Sequence, residues 1–197
     1  MRNSDVLKII KEDILRVLAE EKKKASLTLL KTKVNVFPSF ITEALEELKK
    51  EGLIKTEGNF IKLTKEGQRK SEIILRRHLI LEDYFKKTLN EKVAHRRAHI
   101  LEHYVSEEVI RNLKKLSTFK KKGISLLKFK KKEGFITDIS LSIKLFERLV
   151  SMGICPGKKI RIINRLPDGL IIKINNKKFV LDKNVAKEVK VLRYEET

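Results

Sequence analysis

A single cysteine, no tryptophan and a shortage of acids characterise this chain by what it leaves out. With only Cys155, no intramolecular disulfide can form, which fits a reducing, cytoplasmic setting. Aromatic residues make up just 6% of the chain, so any core must rest on Ile, Leu and Val. No apolar run approaches the roughly 18 residues that cross a bilayer. The opening Met1-Arg-Asn-Ser-Asp5 has no signal-like apolar stretch, so no membrane association is expected. A glycine-rich phosphate loop and a nucleophile elbow are missing as well. The deficit of acids is the most informative absence. Against 46 Lys and Arg stand only 26 Asp and Glu, a net charge of +20. That balance points to a polyanion, most often nucleic acid, although a lysine-rich surface of the thermophile kind has the same composition. A length of 197 residues allows one large domain or two small ones.

All four histidines fall between His78 and His103, each with a partner at helical spacing. His78 precedes Glu82 by one turn. Then comes His95-Arg-Arg-Ala-His99-Ile-Leu-Glu102-His103. At about 100° per residue, His95, His99, Glu102 and His103 share roughly a 100° arc of one helix. Neutral imidazole with carboxylate is the ligand set of Fe(II), Mn(II), Zn(II), Co(II) or Ni(II), and i,i+4 spacing brings two side chains to one ion. Helical His/Glu pairs are also common on surfaces. Here, however, Ile74, Leu81 and Phe85 share the sector of His78 and Glu82, while Ala94, Ala98, Leu101 and Val105 flank the second group. Polar groups aimed at an apolar surface need compensation, and a cation provides it.

The chain reads as α+β in three parts. Residues 5–24 have helical apolar spacing, and about Leu27–Lys33 forms a second helix. A third begins at Pro38, a residue suited to the first turn, and stops at Glu51-Gly52. Leu53–Thr56 and Phe60–Leu63 flank Glu57-Gly-Asn59 as a hairpin. Three helices and a hairpin over residues 1–66 make a winged helix-turn-helix, whose third helix enters the DNA major groove. A plain helical bundle with a hairpin shares the same features. Residues 67–117 read as helices carrying the His/Glu cluster, with Ser106 capping the last of them. The lysines of residues 118–133 read as a linker, a mobile tether to the C-terminal part of the chain. Residues 134–193 alternate short strands and turns around one helix, the texture of a small SH3-like β-barrel.

With those elements in place, the chain resembles the diphtheria-toxin-repressor family of metal-activated transcriptional regulators over almost its whole length. The resemblance is carried by Pro38-Ser-Phe-Ile-Thr-Glu-Ala-Leu45, Leu63-Thr-Lys-Glu-Gly67 and, most specifically, His78…Glu82…Ala94-His95…Ala98-His99-Ile-Leu-Glu102-His103…Ser106-Glu-Glu-Val109. Residues 125–191 resemble the FeoA-type SH3-like domain, most visibly in Arg148-Leu-Val-Ser-Met-Gly-Ile-Cys-Pro-Gly157. The resemblance implies a cytoplasmic homodimer that binds double-stranded operator DNA when loaded with metal and has no small-molecule substrate. It implies two metal sites: His78, Glu82 and His95 in one, and Asp13, His99, Glu102 and His103 in the other. It also places Pro38, Ser39, Thr42 and Glu43 on the DNA-reading helix. Iron-sensing members usually carry Cys where His99 stands. An all-nitrogen-and-oxygen set leans toward Mn(II) or Fe(II), with Zn(II), Co(II) or Ni(II) also accommodated.

The chain departs from the family in two places. Ser142 and Leu145 occupy the positions where iron-type members place barrel ligands, so the barrel is expected to give the metal nothing. On the recognition helix Glu43, Glu46 and Glu47 form an acidic side, and Phe37 replaces a polar cap. Two rival readings compete. His99-x-x-Glu102-His103 also fits the inverted zincin motif of metallopeptidases, although a catalytic zinc keeps a position open for water and the surplus ligands here argue against that. An iron-transport accessory role would use residues 125–191 alone.

Overall fold

The computed structural model describes residues 3–34, 36–118 and 123–193, with side chains from Asp5 onward. It falls into two compact units, residues 1–79 and 80–197, whose division lies inside one long helix.

In the first unit, α1 (Asn3–Glu20) and α3 (Pro38–Lys50) pack together, with the short α2 (Leu27–Val34) between them in sequence. Their buried faces, among them Ile10, Ile14, Leu18, Leu30, Ile41, Ala44 and Leu48, repeat at the helical period. Pro38 starts α3 as the spacing predicts, and no side chain caps it, because Phe37 occupies the cap position. Strands β2 (Ile54–Glu57) and β3 (Phe60–Leu63) form the expected hairpin, with Glu57 opposite Phe60 and Gly58 at φ +57° in the turn. The first helix stops short of the expected residue 24. Lys22 and Lys23 adopt positive φ, and the chain then enters a further strand, β1 (Lys24–Ser26), which pairs with β3. Three residues are too few to show alternation, so this strand left no pattern to read.

In the second unit, α4 (Lys65–Lys86) continues from the first and is followed by α5 (Glu91–Glu102) and α6 (Glu107–Thr118). Asn90 caps α5 by accepting from the Val93 amide, and Ser106 accepts from Val109 at the start of α6. Six strands come next in the order β4 (Ile124–Ser125), β9 (Val189–Leu192), β5 (Glu133–Ile139), β6 (Lys159–Leu166), β7 (Gly169–Ile174), β8 (Lys177–Asp182), with α7 (Ile143–Ser151) and α8 (Lys183–Glu188) between strands. All pairings are antiparallel, and bulges in β5 and β6 bend the sheet.

The expected tether is not a tether where it is described. Lys120–Lys122 lie outside the described residues, but just after Gly123 the segment enters the sheet as a short strand. Ile124 and Ser125 pair with β9, and Leu126 and Phe129 are buried. Lys128 and Lys130–Lys132 face water while those two apolar side chains, three residues apart, reach the core. Helices and sheet share one hydrophobic cluster: Phe85, Ala98, Leu101, Val109, Leu113 and Leu116 pack with Phe135, Phe146, Val150 and Ile160. Phe85 meets Phe146 edge to face at 6.0 Å, and Asn112 donates to the Gly157 carbonyl at 3.0 Å. The sheet is therefore one wall of the helical core. Ending the chain at Ser117 would expose that wall, so the helices are not expected to stand alone.

Gly157 marks how closely α6 approaches the sheet. Its φ is +84°, and a Cβ there would lie 2.9 Å from atoms of Val109 and Leu113. Gly157→Ala should lower unfolding free energy by about 1–3 kcal/mol through strain and overpacking. Denaturant midpoints of the two proteins measure this, and an unchanged midpoint would mean that α6 and the sheet are not in close contact.

Candidate metal centre

The helix phases that put apolar residues into the core also gather the polar cluster. On α4, Ile74, Leu81 and Phe85 are buried, and His78 among them is only 2% exposed. Glu82 stands one turn beyond His78, with about 6 Å between their Cβ atoms at that spacing. Across the gap to α5, Glu82 Oε2 lies 3.5 Å from His95 Nδ1. Burial would push the Glu82 carboxyl up, but Lys86 and His95 together hold it below its ordinary value. Lys86 is one turn further along α4, with Nζ 2.8 Å from Glu82 Oε1. The i,i+4 spacing signals this contact, although it went unread beside the histidines. A positive group thus already sits on the candidate ligand.

The second cluster occupies the last turn of α5. His99, Glu102 and His103 each offer a ligand atom within 4.8 Å of the others. His103 Nε2 lies 3.5 Å from Glu102 Oε1, and the His99 and His103 rings are 5.8 Å apart. Glu102 is 1% exposed. Ala94, Ala98 and Leu101 fill the adjoining face of α5 and are fully buried, as their spacing predicts. Two imidazoles and a carboxylate converging in a water-poor position are donors that Mn(II), Fe(II) or Zn(II) accept, so the residues fit a divalent cation. They do not suit a metallopeptidase. A Glu102 closed off from solvent cannot act as a base toward water bound beside a peptide substrate.

Asp13 belongs to the first unit. It is 5% exposed on α1, with its carboxylate 3.5 Å from Arg16 Nη2, and Arg16 also reaches Glu20 at 2.6 Å. On α3, Pro38, Ser39, Thr42 and Glu43 are all exposed, and the Thr42 hydroxyl donates to the Pro38 carbonyl at 3.1 Å. Ser142 begins α7 and Leu145 is an exposed alkyl side chain on it, with no ligand atom to offer.

Arg97 is the residue that sequence reading passed over. It is 4% exposed, because it falls in the same stripe as Ala94, Ala98 and Leu101. Its Nη1 donates to the Ile139 carbonyl at 2.7 Å and lies 3.3 Å from Asp138 Oδ1, while Nη2 donates to Leu141 at 3.0 Å. Burial pulls its pKa below the ordinary value, against the opposing pull of Asp138. The wheel position held the signal: a charge inside an apolar stripe needs a partner from elsewhere in the fold.

Similarity to known proteins divides along the same lines. Residues 64–122 match the model described as iron dependent repressor, metal binding and dimerisation domain, and residues 130–193 match the FeoA domain. The chain carries a domain of each of these two families. Between them the two matches take in most of the second unit and more than half of the chain. Among solved structures, a manganese-dependent transcriptional repressor in complex with manganese is similar at 20% identity and a TM-score of 0.50, covering 93% of this chain and all of that one. The manganese regulator SloR is similar at 19% identity and a TM-score of 0.48, over 93% of this chain and 98% of its own. An iron uptake regulatory protein, FeoA, is 28% identical over 34% of this chain and 93% of that one, with a TM-score of 0.32. No curated protein matches.

The two clusters make a separable prediction. Glu82→Ala together with His95→Ala should remove one equivalent of bound Mn(II) and leave a second. Glu102→Ala together with His103→Ala should do the converse. Calorimetric stoichiometry with circular dichroism as the folding control reads this directly; two full equivalents in either variant would show that the residues are not ligands.

Proposed function

We propose that this protein is a metal-dependent, DNA-binding transcriptional repressor of metal-homeostasis genes. The observation that carries the reading is the convergence of His99, Glu102 and His103 on α5, within a segment that matches a repressor's metal-binding and dimerisation domain. On the family resemblance, Asp13 of α1 joins His99, Glu102 and His103 as one ligand set, and His78 joins Glu82 and His95 as the other. When bound, a divalent cation supplies the positive charge that lets these carboxylates and imidazoles share one place. The chain's own residues do the rest. The exposed Ser39, Thr42 and Glu43 with Pro38 present the leading end of α3 to the major groove. Glu43 is suited to accept from a cytosine amino group and opposes nearby phosphate, so it serves selectivity more than affinity. The excess of lysine and arginine provides the attraction to the DNA backbone.

Fe(II) or Mn(II) is the proposed effector, because every donor is nitrogen or carboxylate oxygen; the same donors also accommodate Zn(II), Co(II) and Ni(II). We place the repressor in the cytoplasm as a homodimer whose two α3 helices meet successive grooves of double-stranded operator DNA. Among the described residues, no helix is long and apolar enough to cross a membrane. An iron-transport accessory role accounts for residues 130–193 and leaves the recognition helix without a use.

Retardation of promoter DNA by the purified protein, with and without Mn(II) or Fe(II), tests the reading. Binding should require metal in the wild type and be lost in the Glu102→Ala, His103→Ala double variant. Log affinity should also fall with log salt by about 0.9 per phosphate contacted. DNA binding that ignores metal, or a flat salt slope, would overturn it.

A further inference from the structure

Tyr84 and Arg97 stand in matching places. Tyr84 comes two residues after Glu82 on α4, and Arg97 two residues after His95 on α5. Two residues turn an α-helix by about 200°, so each projects from the side of its helix opposite its neighbouring ligand. Both reach the same short stretch of the FeoA domain. Tyr84 Oη donates to the Thr137 carbonyl at 2.7 Å, and Arg97 spans Asp138, Ile139 and Leu141. Arg97 also lies over the Phe146 ring at 4.8 Å, the ring that meets Phe85 of α4. The end of β5 is therefore fastened to α4 by the half-buried Tyr84 and to α5 by the buried Arg97, on the far side of those helices from Glu82 and His95.

We propose that residues 137–141 of the FeoA domain splint α4 to α5, with Tyr84 and Arg97 as positioning residues that hold Glu82 and His95 at ligand distance without touching the ion. This rests on the metal-binding reading above. The physical reason is preorganisation. Two ligands on separate helices lose affinity if either helix can roll, because binding must then order them. A guanidinium fixed on two carbonyls resists rotation of α5 in a way a single contact does not. Groups that orient ligands from behind typically account for tenfold to hundredfold of metal affinity. Coupling of this kind is reciprocal, so metal should in turn steady the sheet segment.

The experiment uses the full chain and Mn(II) as probe, with calorimetric affinity and amide hydrogen exchange of residues 137–141 as readouts. In the wild type, Mn(II) should slow exchange in that segment. Arg97→Gln should weaken Mn(II) at one of two sites by about tenfold and abolish the protection. Arg97→Lys, which keeps charge but not the fork, should recover part of both. Tyr84→Phe, which removes only the hydroxyl and keeps the ring, should weaken binding by about threefold. Ile172→Val, in the sheet core away from the splint, calibrates what a loss of stability alone does and should leave affinity unchanged. If Arg97→Gln and Tyr84→Phe bind Mn(II) as the wild type does, or Ile172→Val weakens it equally, the splint is overturned while the metal site stands. A wild type that takes up no Mn(II) overturns the metal reading and the splint together.

Discussion

The second unit depends on burying an arginine. Removing a guanidinium from water is costly, and leaving one unpaired in a core is worse. The chain meets that cost with two backbone carbonyls, one carboxylate and an aromatic face, all from residues 138–146. Those partners exist only if the sheet lies against α5. Docking of the sheet and the rotational setting of α5 are thus one event, and the histidines on α5 inherit that setting.

The same helix shows how one short segment serves several surfaces. Ala94, Ala98 and Leu101 turn to the core, and small alanines allow close approach. His95 faces Glu82 and remains half exposed, whereas Glu102 is closed off at the C-terminal end. A one-residue change in phase would rotate all of these by about 100° and break every role at once. The two candidate clusters differ in solvent access for the same reason. In the first, His95 is half exposed and Glu82 is already paired with the Lys86 ammonium, whereas the trio at the end of α5 is largely enclosed.

Most elements were legible in advance because their signals are periodic. α1, α3, α4 and α5 follow apolar spacing, and the hairpin follows Gly58 between alternating runs. What escaped has no period. β1 is three residues long, and positive φ at Lys22 and Lys23 ends α1 early without a glycine to announce it. The stretch after residue 118 is dominated by lysines, a pattern that masks Leu126 and Phe129, both of them core residues. A charge run describes the face toward water and says little of what the opposite face does.

Residue types and spacing alone determined the donor chemistry. Imidazoles and carboxylates at i, i+4 and i+8 make a nitrogen-and-oxygen donor set of the kind divalent cations take, and helical phase follows from the backbone's fixed 3.6-residue turn. Only the tertiary structure decided that the FeoA domain is fastened to α4 and α5 rather than tethered beside them. Arg97 and its partners are 41 to 44 residues apart, and Tyr84 and Thr137 are 53 apart. No local pattern encodes such pairs. They come together because a shared apolar core brings the sheet to the helices, and the buried polar groups must then find one another.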